Sequence, residues 1–249
     1  MSQLTRFYLL CCFLLLSFYS KSQNIPEYVF SGGKAVVGLS VWQLDAGVNA
    51  SQSSPFDTVL YSNNYSQYLN LKYGVTERFH VGLSYNYSNT YNYVSDVLLK
   101  NSNANSLNFT LKWAKWKNYT LQLNLGGSGP FKNAADYNSQ LQLIAEHGIG
   151  ANLTWQNNLG LSTSFDQIQP SYNYLSGLTY GLPINIDLIL EVYGNFSDFS
   201  QYHYSNLGMG YYFSKNFMTE LYVGYGRNTS NHTLFSSINF YYRLIPNKD

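Results

Sequence analysis

Apolar and polar residues alternate along most of the chain. In the stretch LKYGVTERFHVGLSYNYS, from Leu71 to Ser88, an apolar or aromatic residue stands at nearly every second position. This period of two is typical of a β-strand with one apolar face, because successive side chains of a strand point to opposite sides. The segment from Gly74 to Arg78 breaks the alternation and predicts a tight turn between two strands.

Twelve segments of the chain have this period of two, and we predict a strand for each. They lie at residues 41–50, 65–74, 79–88, 106–115, 119–127, 140–147, 152–165, 172–182, 185–195, 203–213, 217–227 and 232–244. No long stretch has the three-to-four-residue period of an amphipathic helix, and no shift in composition divides the chain. The pattern therefore predicts a single all-β domain after an N-terminal leader.

The connectors after even-numbered segments are shorter than most of those after odd-numbered segments. Short turns, such as residues 182–185 and 214–216, follow the even-numbered segments. After segments 1, 3 and 5 the connectors run to about a dozen residues or more and are rich in Asn, Ser and Gly, whereas later ones are shorter. Short turns on one side, longer loops on the other and an even strand count are typical of an outer-membrane β-barrel.

The two faces of the predicted strands differ in polarity. Leu121, Leu123 and Leu125 point one way, whereas Gln122 and Asn124 point the other. A soluble sandwich also alternates, but its outer face normally carries more Lys and Glu. Charged residues make up only 11% of this chain and aromatic residues 18%, with 25 Tyr that suit a boundary between lipid and water. The predicted fold class is an all-β, transmembrane, antiparallel up-and-down β-barrel of about 12 strands.

Such a barrel is expected to close on itself. Inside hydrocarbon an open sheet edge would leave a row of backbone groups unpaired, at a cost of several kcal/mol each by rough estimate. Strand twelve is therefore expected to pair with strand one. A barrel of this size lies between small filled barrels and large porins, so both a narrow water-filled lumen and a plugged one are compatible with the sequence.

The N-terminus has the pattern of a cleaved signal peptide. Arg6 precedes an apolar run of 13 residues from Phe7 to Tyr19, and small residues follow up to Ser22. That run is too short to span a membrane as a helix and fits the apolar core of a secretory signal. We predict a signal peptide at residues 1–22 and export of the remaining chain.

The rest of the chain is assigned to two parts. Residues 23–40 are expected to form a periplasmic N-terminal segment, and residues 41–249 the barrel in the bacterial outer membrane. The only two cysteines, Cys11 and Cys12, fall inside the predicted signal, so the processed chain would contain no disulfide. The formal net charge of +1, with no arginine-rich face, argues against nucleic acid as a partner.

Four stretches of the chain resemble one family of outer-membrane barrels. They are YGVTERFHVGLSYNY, LTYGLPINIDLILEVYGNF, GMGYYFSKNFMTELYVGYG and SINFYYRL. They are similar to transporters assigned to the meta pathway of phenol degradation, which are common in Bacteroidetes-like bacteria. The family motifs Tyr-Gly-Leu-Thr, Glu-x-Tyr-Gly and Tyr-Arg-Phe correspond here to Tyr73–Thr76, Glu191–Gly194 and Tyr242–Leu244, and the resemblance covers about residues 42–244.

The resemblance implies a barrel that transports small solutes, including hydrophobic or aromatic compounds. It also implies insertion by the barrel-assembly machinery, which reads an aromatic residue at the end of the last strand in this family. Here Leu244 stands at that place and is followed by IPNKD, which weakens the signal. The Thr-x-Arg-Pro element of family members is absent from the stretch NIPEYVFSGGKAVV.

Nine charged or titratable residues are expected to line the lumen if the polar faces of the strands turn inward. They are Asp45, Lys72, His80, Lys112, Glu146, Asp187, Glu191, Glu220 and Arg243. One interpretation is a polar channel whose charges select solutes, with Glu191 and Arg243 as the best individual candidates. The other is that acids and bases pair across the lumen and brace the barrel.

The sequence contains no convincing catalytic or metal-binding arrangement. His80 and Ser84 lie on one face of a strand but are separated by roughly 13 Å at the usual rise per residue, too far for a direct hydrogen bond. The remaining histidines are not accompanied by carboxylates at metal-ligand spacing. We therefore expect no enzymatic activity, no cofactor and no metal ion.

Two classes of function are compatible with these patterns. One is an outer-membrane channel or transporter for small solutes, with lipid as its surroundings. The other is a structural or adhesive barrel that acts through its external loops and conducts nothing; trimming residues 88–105 would then abolish surface binding. A soluble secreted β-protein is a third alternative.

Overall fold

Twelve β-strands make up the described part of the chain, as many as the alternating segments predict. The computed structural model describes residues 37–55, 60–116, 118–129, 137–164, 170–197, 201–228 and 230–245. The strands are β1 (Trp42–Pro55), β2 (Leu60–Thr76), β3 (Phe79–Val94), β4 (Val97–Trp116), β5 (Tyr119–Ser128), β6 (Tyr137–Gly148), β7 (Leu153–Ser164), β8 (Ser171–Leu182), β9 (Ile186–Phe196), β10 (Gln201–Ser214), β11 (Phe217–Arg227) and β12 (Asn231–Leu244). Within these residues no helix is long and apolar enough to cross a membrane. The predicted signal peptide lies outside the described residues.

The strands form one closed antiparallel barrel in which each strand pairs with its neighbours in sequence. The barrel closes between β1 and β12, from the pair Trp42 and Leu244 to the pair Pro55 and Asn231. Closure gives every strand two partners, which satisfies the backbone groups that an edge would leave open in lipid. The predicted fold class, strand count and closure are confirmed.

Short turns lie at one end of the barrel, which we call the turn rim. Residues 77–78, 149–152, 183–185 and 215–216 connect strands there, and β1 begins and β12 ends at the same rim. The opposite end, the loop rim, carries the connections after β1, β3, β5, β7, β9 and β11. The short turns and the outer ends of β1 and β12 share one rim, as the connector pattern predicts, but the connections after β1 and β3 are shorter than predicted because the flanking strands extend into them.

The connection between β3 and β4 differs from the sequence prediction. The alternation predicts a loop at residues 89–105, but these residues continue both strands to a two-residue turn at Ser95 and Asp96. Both turn residues have positive φ, 45° and 67°, the backbone of a tight hairpin turn. Asn and Ser occupy both faces here, so backbone pairing forms strands without the apolar alternation that marks the rest of the barrel.

This hairpin rises above the rest of the loop rim. At the usual rise per residue, the 20 residues of β4 would extend about 66 Å. Roughly ten strand residues span a bilayer, so β4 is about twice as long as a membrane-spanning strand needs to be. At its tip the hydroxyl of Tyr61 donates a hydrogen bond of 2.9 Å to Asp96, which raises the pKa of that phenol. We call residues 60–64 and 89–105 the flap.

The outer face of the barrel is apolar. Most outward positions along the strands expose a large hydrophobic side chain, and the inward neighbours are mainly polar or small. The exposed set includes Leu44, Leu69, Leu71, Leu83, Leu107, Phe109, Leu121, Leu125, Leu141, Leu161, Leu188, Leu190, Val192, Leu207, Leu221, Val223, Leu234 and Phe240. In contrast, most of the described side chains that are fully buried are polar or charged. Lipid outside and a polar interior account for this inverted distribution.

Candidate functional site in the barrel lumen

The structure places all nine side chains named from the sequence on the inner face of the barrel. Strand register puts inward positions next to one another: Gln43 pairs with Lys72 on one side and with Arg243 on the other. Five of the nine are at most 6% exposed, whereas the outward residue Leu44 is 41% exposed. These five are Asp45, His80, Lys112, Glu146 and Glu220.

A polar network crosses the seam at which the barrel closes. The Nζ of Lys72 forms an ion pair with Asp45 at 2.5 Å, and Gln43 donates its amide to the other Asp45 oxygen at 2.7 Å. Arg243 in turn donates its Nε to the Gln43 amide oxygen at 2.8 Å. These four residues, the closure network, connect side chains of β12, β1 and β2. Sequence reasoning missed Gln43, although it lies two residues before Asp45 and therefore on the same face.

Glu220 on β11 is the most deeply buried carboxylate of the lumen. One of its oxygens accepts hydrogen bonds from the hydroxyl groups of Tyr222, at 3.0 Å, and Tyr241, at 2.7 Å. Gly208 on the neighbouring strand leaves room for the ring of Tyr222, because a Cβ at that position would clash with the ring. The sequence predicted that Glu220 faces the lumen but did not identify its two tyrosine partners. Tyr222 lies two residues after Glu220 and Tyr241 two residues before Arg243, so the alternation places both on the inner face.

His80 has a structural contact that the sequence did not indicate. Its Nδ1 accepts a hydrogen bond of 3.0 Å from the backbone N–H of Val37, which is buried. Beside it, a Cβ on Gly74 would collide with the backbone of Val37 and Gly38, so only glycine fits there. His80 and Gly74 together hold the chain where it enters β1.

Side chains fill the lumen in its turn-rim half. Lys112 and Glu146, on β4 and β6, are buried there, as are Thr120 and Ile144 on β5 and β6. With His80 and Glu220 they leave little open space at this level. These buried side chains therefore constrict the lumen in this half.

Two carboxylates on β9 have a different environment. Glu191 accepts a hydrogen bond from the amide of Asn206 at 3.1 Å, and Asp187 accepts one from the hydroxyl of Tyr212 at 2.6 Å. Both partners are neutral, and among the described residues neither carboxylate forms an ion pair. The bracing interpretation thus describes Asp45 and Lys72 but does not describe Glu191 and Asp187.

Two cavities open on either side of the filled region. One, of about 460 Å³, lies against the inner wall of β6 to β10 and is lined by Gln142, Asn158, Asn173, Tyr174, Leu175, Tyr193, Gly194, Asn195, Tyr202 and Tyr204. The other, of about 640 Å³, lies at the turn rim and includes Asp187, Tyr212 and Lys215 among its lining residues. No group of three or more potential metal ligands occurs in the described residues.

Solved structures share this closed barrel. An outer-membrane channel from Pseudomonas putida F1 superimposes with a TM-score of 0.65 at 12% identity, over 87% of this chain and 100% of the channel. This chain has the fold of an outer-membrane β-barrel. The translocator domain of the autotransporter NalP from Neisseria meningitidis has a TM-score of 0.55 at 9% identity, over 81% of this chain and 88% of that domain. The KdgM porin in complex with oligogalacturonate has a TM-score of 0.52 at 10% identity, over 78% of this chain and 98% of the porin.

At these identities the likeness shows the fold of the barrel and not its solute. No family model matches the chain, and no curated protein matches its sequence. The resemblance to transporters of the phenol-degradation meta pathway therefore stays a prediction.

Proposed function

We propose that the barrel is a narrow outer-membrane channel for small solutes. The observation that carries this proposal is the pair of lumen carboxylates, Glu191 and Asp187, whose partners among the described residues are neutral. A scaffold built only for rigidity gains nothing from anions that lack cationic partners, since their desolvation is not offset. In a water-filled path the same groups attract cations and repel anions.

The geometry supports a path with three parts. A solute enters the cavity near the loop rim, passes Glu191 and the filled turn-rim half, and leaves through the turn-rim cavity beside Asp187. The fold shared with a Pseudomonas channel and with a porin supports this proposal. We further propose that the barrel resides in the outer membrane, is inserted by the barrel-assembly machinery and acts by lining a path rather than by catalysis.

Replacing the Glu191 carboxylate by an amide is expected to lower the cation preference of the channel. In planar bilayers under a salt gradient, wild-type protein should show cation-selective current, and Glu191→Gln should reduce the cation-to-anion permeability ratio by about twofold or more because one lumen charge is lost. Asp96→Asn is the matched control, since it removes a carboxylate from the flap tip outside the lumen. Equal permeability ratios for wild type and Glu191→Gln would contradict the proposal.

A second function, adhesion through the flap, is favoured by one observation. The pairing of β4 with β5 begins at Ser106, and among the described residues no strand covers that edge at residues 97–104. Val97 and Leu99 are each 64% exposed there, and an open strand edge can pair with another chain. The same bilayer recordings decide between the two functions, because a purely adhesive barrel gives no current.

A further inference from the structure

The cavity of about 460 Å³ near the loop rim combines two kinds of side chain. Four tyrosines, Tyr174, Tyr193, Tyr202 and Tyr204, provide aromatic surface. Four amides surround them, Gln142, Asn158, Asn173 and Asn195, and no charged side chain is among the described residues that line the cavity. The volume lies within the range of small-molecule binding sites.

Several amide side chains of this cavity have a donor or acceptor group available to a ligand. Asn173 donates its NH₂ group to a serine hydroxyl at 2.7 Å, which leaves its oxygen available. Asn158 accepts a bond of 3.2 Å at its oxygen, which leaves its NH₂ group available. The buried Oδ1 of Asn195 has no hydrogen-bond partner among the described residues. A ligand with several hydroxyl groups can supply both the donors and the acceptors that these amides lack.

The aromatic side of the cavity is held in a fixed orientation. The rings of Tyr193 and Tyr204 stack with centroids 5.2 Å apart and an angle of 14° between their planes. Phe235 packs edge-on against both, at 6.4 Å from Tyr193 and 6.0 Å from Tyr204. Packed rings of this kind form a platform that loses little conformational freedom when the ring of a ligand packs against it.

From this combination we propose that the cavity is a binding subsite for neutral saccharides of one or two rings. A sugar ring presents an apolar C–H face, which suits the negative face of an aromatic ring, and a rim of hydroxyls, which suits the amides. A hydrocarbon would leave the amides without partners. An anionic sugar would find no cation among the described lining residues, and Glu191 lies two residues from Tyr193 on the same inward face. The proposal rests on the proposed channel function, since the cavity is the first part of the path that a solute takes through the barrel.

Maltose, toluene and galacturonate are suitable probes of this subsite. In planar bilayers, maltose should reduce the current through the wild-type channel in a concentration-dependent manner, whereas toluene and galacturonate should not. Calorimetry on the detergent-folded protein should show maltose binding independently of conduction. A block by toluene or galacturonate that is stronger than the block by maltose would overturn the proposal.

Variants of the cavity locate the binding. Tyr204→Ala and Asn173→Leu should each weaken maltose binding by at least about fivefold, the first by removing a platform ring and the second by removing an amide at similar volume. Asn64→Ala is the matched control, because Asn64 lies in the flap on β2, six strands from Asn173 on the opposite side of the barrel, and its loss should leave the affinity unchanged. Heat-modifiable mobility verifies that each variant is folded, and Asn173→Leu alone decides if Tyr204→Ala does not fold.

The two measurements separate failure of the subsite from failure of the channel. A protein that conducts ions but shows neither block nor binding by maltose overturns the subsite and leaves the channel intact. A protein that binds maltose, loses that binding in Asn173→Leu and yet conducts nothing supports the subsite and overturns the channel. An affinity that falls equally in Asn64→Ala would also overturn the subsite.

Discussion

Leu83→Arg is expected to destabilise the folded barrel in a lipid bilayer by about 2–4 kcal/mol, the cost of an arginine near the bilayer midplane on the lipid face. Leu83 is 50% exposed on β3 and pairs with Leu71 and Phe109, both of which also point outward. It lies five residues beyond the turn at residues 77–78, which places it near the middle of the apolar band. The charge would therefore meet acyl chains with no polar partner nearby.

Ser84→Arg, one residue further along, is the matched control for this substitution. Ser84 pairs with Asn70 and Asn108 and points into the lumen, so the same charge meets polar groups there. Unfolding in urea from lipid vesicles, followed by heat-modifiable mobility, measures both variants. Equal destabilisation of the two, or none in Leu83→Arg, would show that the outer face does not contact lipid.

The second large effect is expected from Asp45→Ala in the closure network. Asp45 is buried, forms an ion pair with Lys72 and accepts a hydrogen bond from Gln43. Its loss leaves the Lys72 ammonium without its anion and frees the amide that connects to Arg243. Removal of one partner of a buried pair costs roughly 3–5 kcal/mol, and because the side chain of Lys72 is 21% exposed we expect about 2–4 kcal/mol.

Asp45→Asn distinguishes the charge from the hydrogen bonds of the network. The amide keeps the shape of Asp45 and one acceptor oxygen, so about half of the loss should be recovered. The free energy of unfolding is measured in the same vesicle assay as above. A value for Asp45→Ala within error of wild type would mean that the contacts of Asp45 add nothing to the stability of the barrel.

The strands and their faces could be predicted because the bilayer imposes a simple rule on the sequence. Each spanning strand must put apolar side chains toward lipid, so Leu121, Leu123 and Leu125 alternate with polar residues and reveal both strand and face. The flap could not be predicted in this way. Outside the membrane no apolar face is required, and the Asn and Ser residues at 89–105 suggest a loop although they form strands.

The charged part of the candidate site could be predicted, whereas its partners could not. Charges such as Glu191 and Glu220 stand out in a chain with so few, and alternation gives their face. Their partners are neutral residues on other strands, such as Asn206 for Glu191, and finding them requires the register between strands. The cavity of the proposed saccharide subsite depends on five strands from β6 to β10 and has no local pattern in the sequence.

Lipid contact of the Leu-rich outer face, with a polar lumen on the opposite face, is the assignment on which the fold and the proposed channel both depend. Because both cysteines lie within the predicted signal peptide, single cysteines can be introduced into the processed chain and labelled with a fluorophore. Quenching by brominated lipids in vesicles tests the assignment directly at Leu83, Leu190 and Leu221 against Ser84 and Asn206. We expect strong quenching at the three leucine positions and little at the other two. Equal quenching at all five positions, or stronger quenching at Ser84 and Asn206, would contradict the assignment of the two faces.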